Sequence, residues 1–288
     1  MTKKESEKNN ALEQDYLTIP NLFLETNKHT FAYREMGERV GIPLVMFHHL
    51  SATLDNWDYR VLNQLAKNHW VIVFDNVGVG LSTGNVPRTI AEMADDALEF
   101  IHALDVNQID LLGLSMGGMI AQELVVKEPQ LVRKLVLVGT GPRGGQGISD
   151  VTRITNKDLV RSIFTRKDIK NYLFFTSTAN GKQKAQEYLS RIHERIAVKD
   201  KTIRLSSYNN QLKAINRWGK DSHLDLSNVT QPTLVVNGDH DRMVPTVNSY
   251  QLAKEIPNTK IKIYADAGHG SLFQYPDEFT QLVTFFLK

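Results

Sequence analysis

Several short stretches of the chain are apolar almost without interruption, at residues 43–47, 70–74 and 134–138, and weaker versions recur at 108–112, 232–238 and 260–264. Runs of this kind suit strands buried on both faces of a parallel sheet. Between them lie stretches with helical apolar spacing, at 57–67, 89–104, 116–127, 246–255 and 277–286, with Pro129 as a stop after the third. Strand and helix in alternation imply right-handed βαβ crossovers and an open, mostly parallel sheet with helices on both faces. Upstream, 18–25 and 30–35 alternate apolar and polar residues around the turn 26–29, which predicts an antiparallel hairpin.

After the glycine-rich break at 139–147 the character changes. Residues 148–221 are polar and amphipathic, with helices expected over 158–164, 168–175, 182–198 and 206–218 and no strong strand. The expected organisation is therefore a flexible polar tail over 1–16 with a short helix near 11–16, a core over 17–145 and 222–288, and a helical cap inserted at 146–221. Such an insertion would lie over the carboxyl ends of the strands.

One junction carries chemistry. Ile109-Asp110-Leu111-Leu112 reads as strand, Gly113-Leu114-Ser115-Met116-Gly117 as a turn, and the residues from Gly118 as helix. That context makes Gly-X-Ser-X-Gly a nucleophile elbow, a strained turn that lifts the serine hydroxyl clear of the backbone. Gly113 and Gly117 are needed where a β-carbon would collide with the adjacent strand or helix.

Serine at neutral pH needs a base within hydrogen-bond reach, and that base needs an acid to orient it. Of nine histidines, His269 alone follows a strand on a glycine-bracketed turn, Gly268-His269-Gly270, downstream of an acid. The acid comes from Gly238-Asp239-His240-Asp241, just past another strand. Asp241, deeper in the loop, is favoured over Asp239, which suits tying the turn's backbone amides; His240 between them suits a solvent-facing position.

In the order Ser115, Asp241, His269, with Gly-X-Ser-X-Gly at 113–117 and Gly-His at 268–269, the chain resembles the α/β-hydrolase superfamily over about residues 18–288. The resemblance implies an α/β-hydrolase fold with a helical cap. It also implies an oxyanion hole from the backbone N–H groups of Met116 and Leu50. His48-His49-Leu50 stands where many members read His-Gly-X, and a histidine there makes a positive φ costlier. His49 and Trp218 are the residues taken as substrate-pocket candidates. Asp75-Asn76-Val77-Gly78-Val79-Gly80-Leu81-Ser82 resembles another family turn, with Val77 where arginine is usual.

Composition bounds the chemistry. With 288 residues, 41% hydrophobic and 23% charged, the chain can bury a substantial core. The formal charge of +2 gives no reason to expect nucleic acid or a membrane surface as partner. Absence of cysteine removes thiolate chemistry and disulfides. No cofactor and no metal is expected: Thr83 stands where a dinucleotide loop would place its third glycine, and adjacent His48 and His49 point apart. With no signal-peptide pattern at the start, the expected setting is cytoplasmic, the expected partner a small-molecule substrate, and a homo-oligomer stays open.

The function implied is a serine hydrolase cleaving a small ester, lactone or related acyl compound, carboxylesterase-like. Cofactor-free peroxidation and carbon–carbon bond hydrolysis use the same triad in this superfamily, and a slow or inactive small-ligand receptor is the reading from another class.

Overall fold

The computed structural model describes residues 15–288. Eight strands form one sheet: β1 (Leu22–Glu25), β2 (Thr30–Met36), β3 (Leu44–Phe47), β4 (Val71–Phe74), β5 (Ile109–Leu114), β6 (Val132–Val138), β7 (Thr233–Gly238) and β8 (Thr259–Tyr264), in the spatial order β1-β2-β4-β3-β5-β6-β7-β8. The first two pairings, β1 with β2 and β2 with β4, are antiparallel. All others are parallel. The expected hairpin and the expected parallel sheet are thus both present.

The helices are α1 (Tyr59–Ala66), α2 (Ile90–Ala103), α3 (Met116–Lys127), α4 (Val151–Thr165), α5 (Lys170–Leu173), α6 (Ala179–Ile192), α7 (Leu205–Trp218), α8 (Val247–Glu255), α9 (Ser271–Gln274) and α10 (Pro276–Leu287). Strand side chains alternate between the two faces of the sheet, and so do the two hydrophobic clusters. Val45, Phe47, Ile72, Phe74, Leu111 and Leu135 join the cluster that includes α2 and α3. Leu44, Met46, Val71, Val73, Leu112 and Val136 join the one that includes α1 and α10. Every residue of β3, β4, β5 and β7 is buried, whereas β8, at the sheet edge, leaves Lys260 and Lys262 exposed. Charged residues on that strand blunt an edge that could otherwise pair with another chain.

Four helices, α4 to α7, lie between β6 and β7, where the sequence predicts a helical insertion. Their limits differ from expectation. Helix α4 begins at Val151 rather than 158, straight after the glycine-rich turn. Helix α6 stops at Ile192 rather than 198, because tertiary bonds capture the backbone beyond it: Ile196 and Ala197 donate to the Leu17 carbonyl, and the Arg195 guanidinium donates to the carbonyls of Tyr16 and Ile19.

Those bonds also correct the tail. Residues 1–14 lie outside the described part, but Tyr16, placed at the tail's end by the sequence, is buried at 3% exposure. Its hydroxyl donates to the Leu54 carbonyl and its ring sits under the guanidinium of Arg34. No helix among the described residues is long and apolar enough to cross a membrane.

A buried ion pair joins the helical segment to the sheet-bound core. Arg191 on α6 donates through Nε to both oxygens of Asp58, at 3.0 and 2.9 Å, and its Nη2 lies 2.7 Å from Oδ2. Asp58 also caps α1 by accepting from the Arg60 amide.

A second junction uses two acids. Asp75, fully buried after β4, accepts from the backbone amides of Leu54 and Leu81 and is hydrogen-bonded to Asp200, which lies between α6 and α7. Burial first, and then the neighbouring Asp200 charge, raise the Asp75 carboxyl well above the ordinary range. Gly80 makes room for the pair: a β-carbon there would lie 2.2 Å from Asp75 Oδ2 and 2.6 Å from Asp200 Oδ2.

Candidate active site

Ser115 sits between β5 and α3 with φ 57° and ψ −116°, a conformation that costs an L-residue on the order of 1–3 kcal/mol. The neighbouring sheet holds it there, since the Ser115 amide donates to the Val138 carbonyl on β6 at 2.8 Å. Both flanking glycines are required by close approach. A β-carbon on Gly113 would lie 2.4 Å from the Gly117 carbonyl oxygen, and one on Gly117 would lie 2.5 Å from that of Phe47.

The turn after β8 carries His269 back to the serine. Its Nε2 is 2.8 Å from Ser115 Oγ, and its Nδ1 is 2.7 Å from Asp241 Oδ2. An ionised carboxylate only accepts, so Nδ1 holds the proton and the Nε2 lone pair accepts from the serine hydroxyl. The other Asp241 oxygen accepts from the amides of Met243 and Val244 at 2.8 and 2.9 Å. All three residues are buried.

Asp239 faces elsewhere. Its Oδ1 accepts from the Ala267 amide at 3.1 Å and lies 2.6 Å from Nδ1 of the exposed His240. Desolvation raises its pKa, but the bonds from His240 and the backbone outweigh that and hold the carboxyl below the ordinary range.

The loop after β3 brings Leu50 to the same place: Leu50, His49, Ser115 and His269 all line one cavity of about 220 Å³. Among the described residues, neither the Leu50 nor the Met116 amide donates to a protein acceptor. The positive φ on this loop falls at Ser51 (64°), not at His49, so the histidine in the glycine position carries no such strain. Ser51 is steadied from the helical segment, its amide donating to Gln211 Oε1 at 2.8 Å.

His49 itself packs edge-on against Phe174, with ring centroids 5.0 Å apart. Its Nδ1 donates to the Leu50 carbonyl at 2.8 Å, while its Nε2 has no partner. Burial pushes its pKa down to about 3, so the ring is neutral at any ordinary pH.

Trp218, the other expected pocket residue, is not in the wall. It is buried in the core at 2% exposure, its Nε1 donates to the Gly141 carbonyl at 3.1 Å, and Arg143 covers its ring. Its place on the buried face of α7 is that of a core tryptophan. Phe174 takes the place in the wall, lying 5.8 Å from the His269 ring and accepting from the Gly270 amide through its carbonyl at 2.9 Å. Met119, Leu173, Met243 and Lys170 are among the further wall residues, and nothing in the sequence singles them out. Periodicity separates buried from exposed faces but cannot separate a core from a cavity.

For metal, the described residues offer one grouping, His29, Asp96 and Glu99, with one ligand atom each within 4.8 Å of one another. It lies outside the cavity, and His29 Nδ1 already faces Glu99 Oε2 at 3.0 Å while Glu99 also holds Thr26.

A strand-borne elbow serine, a histidine behind it and an eight-stranded, mostly parallel sheet define a class. The alpha/beta hydrolase fold family model matches residues 42–276, and the chain belongs to that family. An alpha/beta hydrolase fold protein from Chitinophaga pinensis is 35% identical with a TM-score of 0.91, over 96% of this chain and 99% of that one. A 2-hydroxymuconate semialdehyde hydrolase from Pseudomonas sp. (strain CF600) is 26% identical, covering 86% of this chain and 87% of its own. A bromoperoxidase from Bacillus anthracis shares the fold at 19% identity, with a TM-score of 0.74 over 93% of this chain and 99% of that one. General hydrolase activity follows from this membership.

Proposed function

We propose that the chain is a serine hydrolase acting on a small ester, lactone or related acyl compound, with Ser115, His269 and Asp241 as its catalytic triad and residues 146–221 as a cap over the pocket. The observation that carries this reading is the continuous hydrogen-bonded line from Asp241 through His269 to Ser115.

In the first step Ser115 Oγ attacks the substrate carbonyl carbon while its proton passes to His269 Nε2, and Asp241 stabilises the imidazolium. The carbonyl oxygen gains the negative charge, and the Met116 and Leu50 amides, unpaired at rest, are suited to hold it. Collapse expels the alcohol, which takes the proton from His269. Water then attacks the acyl-enzyme with His269 again as base, releasing the acid and restoring Ser115.

A fluorophosphonate probe tests the nucleophile, alongside p-nitrophenyl esters of graded acyl length and a panel of lactones. Wild type should label stoichiometrically and turn over esters, while Ser115→Ala should do neither. Ester turnover that persists unchanged in Ser115→Ala would sink the reading.

A further inference from the structure

Among the described residues, no carboxylate lines the cavity that holds Ser115, and one formal charge does: Lys170, at the start of α5. The walls around it are aliphatic, with Val151, Leu159, Ile169 and Leu173 among them. Its side chain is only 20% exposed. A lysine held mostly within such a wall has less water around its ammonium than one on the open surface.

Little compensation comes from the protein. The nearest opposite charge is Asp168 Oδ2, 3.8 Å from Nζ and beyond hydrogen-bond distance. The other Asp168 oxygen is engaged in accepting from the Lys170 amide at 2.8 Å. Among the described residues Nζ donates no hydrogen bond. His49, on the opposite loop, cannot offset the charge, because its buried ring is neutral and the Lys170 charge further disfavours its protonation.

We infer that Lys170 makes this pocket selective for acyl substrates that carry a carboxylate away from the scissile bond. The inference rests on the hydrolase reading above and adds to it a substrate class: an anionic, otherwise apolar ester or lactone. The carboxylate displaces water from the ammonium and gains a charge-assisted bond in a site of low polarity, while the rest of the molecule meets aliphatic wall. A neutral substrate of the same size leaves the ammonium under-solvated. Asp168 attenuates this preference because it partly neutralises the same charge.

The test compares matched ester pairs that differ only in a terminal carboxylate against its uncharged methyl ester. One pair carries the group on the acyl chain and one on the alcohol. Wild type should favour the charged member of at least one pair by about tenfold or more in kcat/KM, the size expected of one charged hydrogen bond. Lys170→Met should erase or invert that ratio, Lys170→Arg should keep it, and Asp168→Asn should enlarge it. Charged and uncharged members treated alike by wild type, or a ratio unmoved in Lys170→Met, overturns the inference. If Ser115→Ala abolishes turnover in the same experiment, the hydrolase reading survives that failure; if it does not, the failure lies with the hydrolase reading.

Discussion

His269 Nδ1 lies 2.7 Å from Asp241 Oδ2, while Asp239, two residues earlier, turns the opposite way toward His240 and the Ala267 amide. The two acids share a loop but only one shares the histidine. Asp241→Asn should therefore lower kcat by about 10³ to 10⁴, since an amide donor at Nδ1 stabilises the wrong tautomer. Asp239→Asn should stay within about tenfold of wild type, a loss of turn anchoring and not of proton transfer. Steady-state kinetics on one p-nitrophenyl ester decides it, and a larger loss at 239 than at 241 refutes the assignment.

The elbow tolerates no side chain on either flank. Gly113→Ala and Gly117→Ala each drive a β-carbon against a backbone carbonyl, and backbone cannot swing aside as a side chain can. Each should cost about 3 kcal/mol or more, or prevent folding. Gly41→Ala is the control, because nothing lies within 4 Å of a β-carbon there and only its φ of 77° is unfavourable. Denaturant midpoints that rank Gly41→Ala as the most harmful of the three would contradict this.

The Arg191–Asp58 pair should reveal itself through the charge left behind. Asp58 is fully buried and desolvation already raises its pKa, with the Arg191 guanidinium pulling it back. Arg191→Met strands that carboxylate and should destabilise the protein by about 3–5 kcal/mol. Adding Asp58→Asn removes the stranded charge and should restore part of the loss. Urea unfolding of the single and double variants measures both, and a double variant less stable than Arg191→Met alone would show that the charge is not the cause.

A pH dependence follows from Asp75 and Asp200. Burial and then Asp200 hold the folded-state pKa of Asp75 above that of the unfolded chain, so the folded protein retains a proton that the unfolded one releases. This contribution to stability is complete below the unfolded carboxylate value and fades as pH rises through the folded one. Asp200→Asn removes one raising influence, so its melting temperature should fall less than that of wild type between about pH 5 and about pH 9. Parallel curves for the two proteins would remove the pair from the account.

Much of this architecture was legible in the residues because each feature had a local cause. Strands buried on both faces must be largely apolar, and β3 and β4 are so throughout, while β5 admits one buried acid, Asp110, paired with Arg133. Glycines at 113 and 117 announce a close approach that the register of β5 with β3 then imposes. Features with a distant cause were not legible. Tyr16 looks like the end of a polar tail until Arg34 and Leu54 close on it from elsewhere in the chain. Helix α6 has the composition to continue, and ends because Leu17 competes for its amides. Trp218 and Phe174 are both aromatics in helical surroundings, and only the fold decides that the first plugs the core and the second faces the cavity.

The bond between the Gly270 amide and the Phe174 carbonyl ties the turn that holds His269 to the helical segment above it. Ser115, His269 and Asp241 all stand on loops at strand ends, whereas the chamber around them is walled partly from that layer, through His49, Leu50, Met119 and Met243, and partly from the helical segment. The two layers meet at this amide. A movement of the upper layer wide enough to admit a bulky molecule would strip the amide of its acceptor and withdraw the ring from the imidazole. Any such opening would leave His269 without the Phe174 ring beside it until the segment closed again.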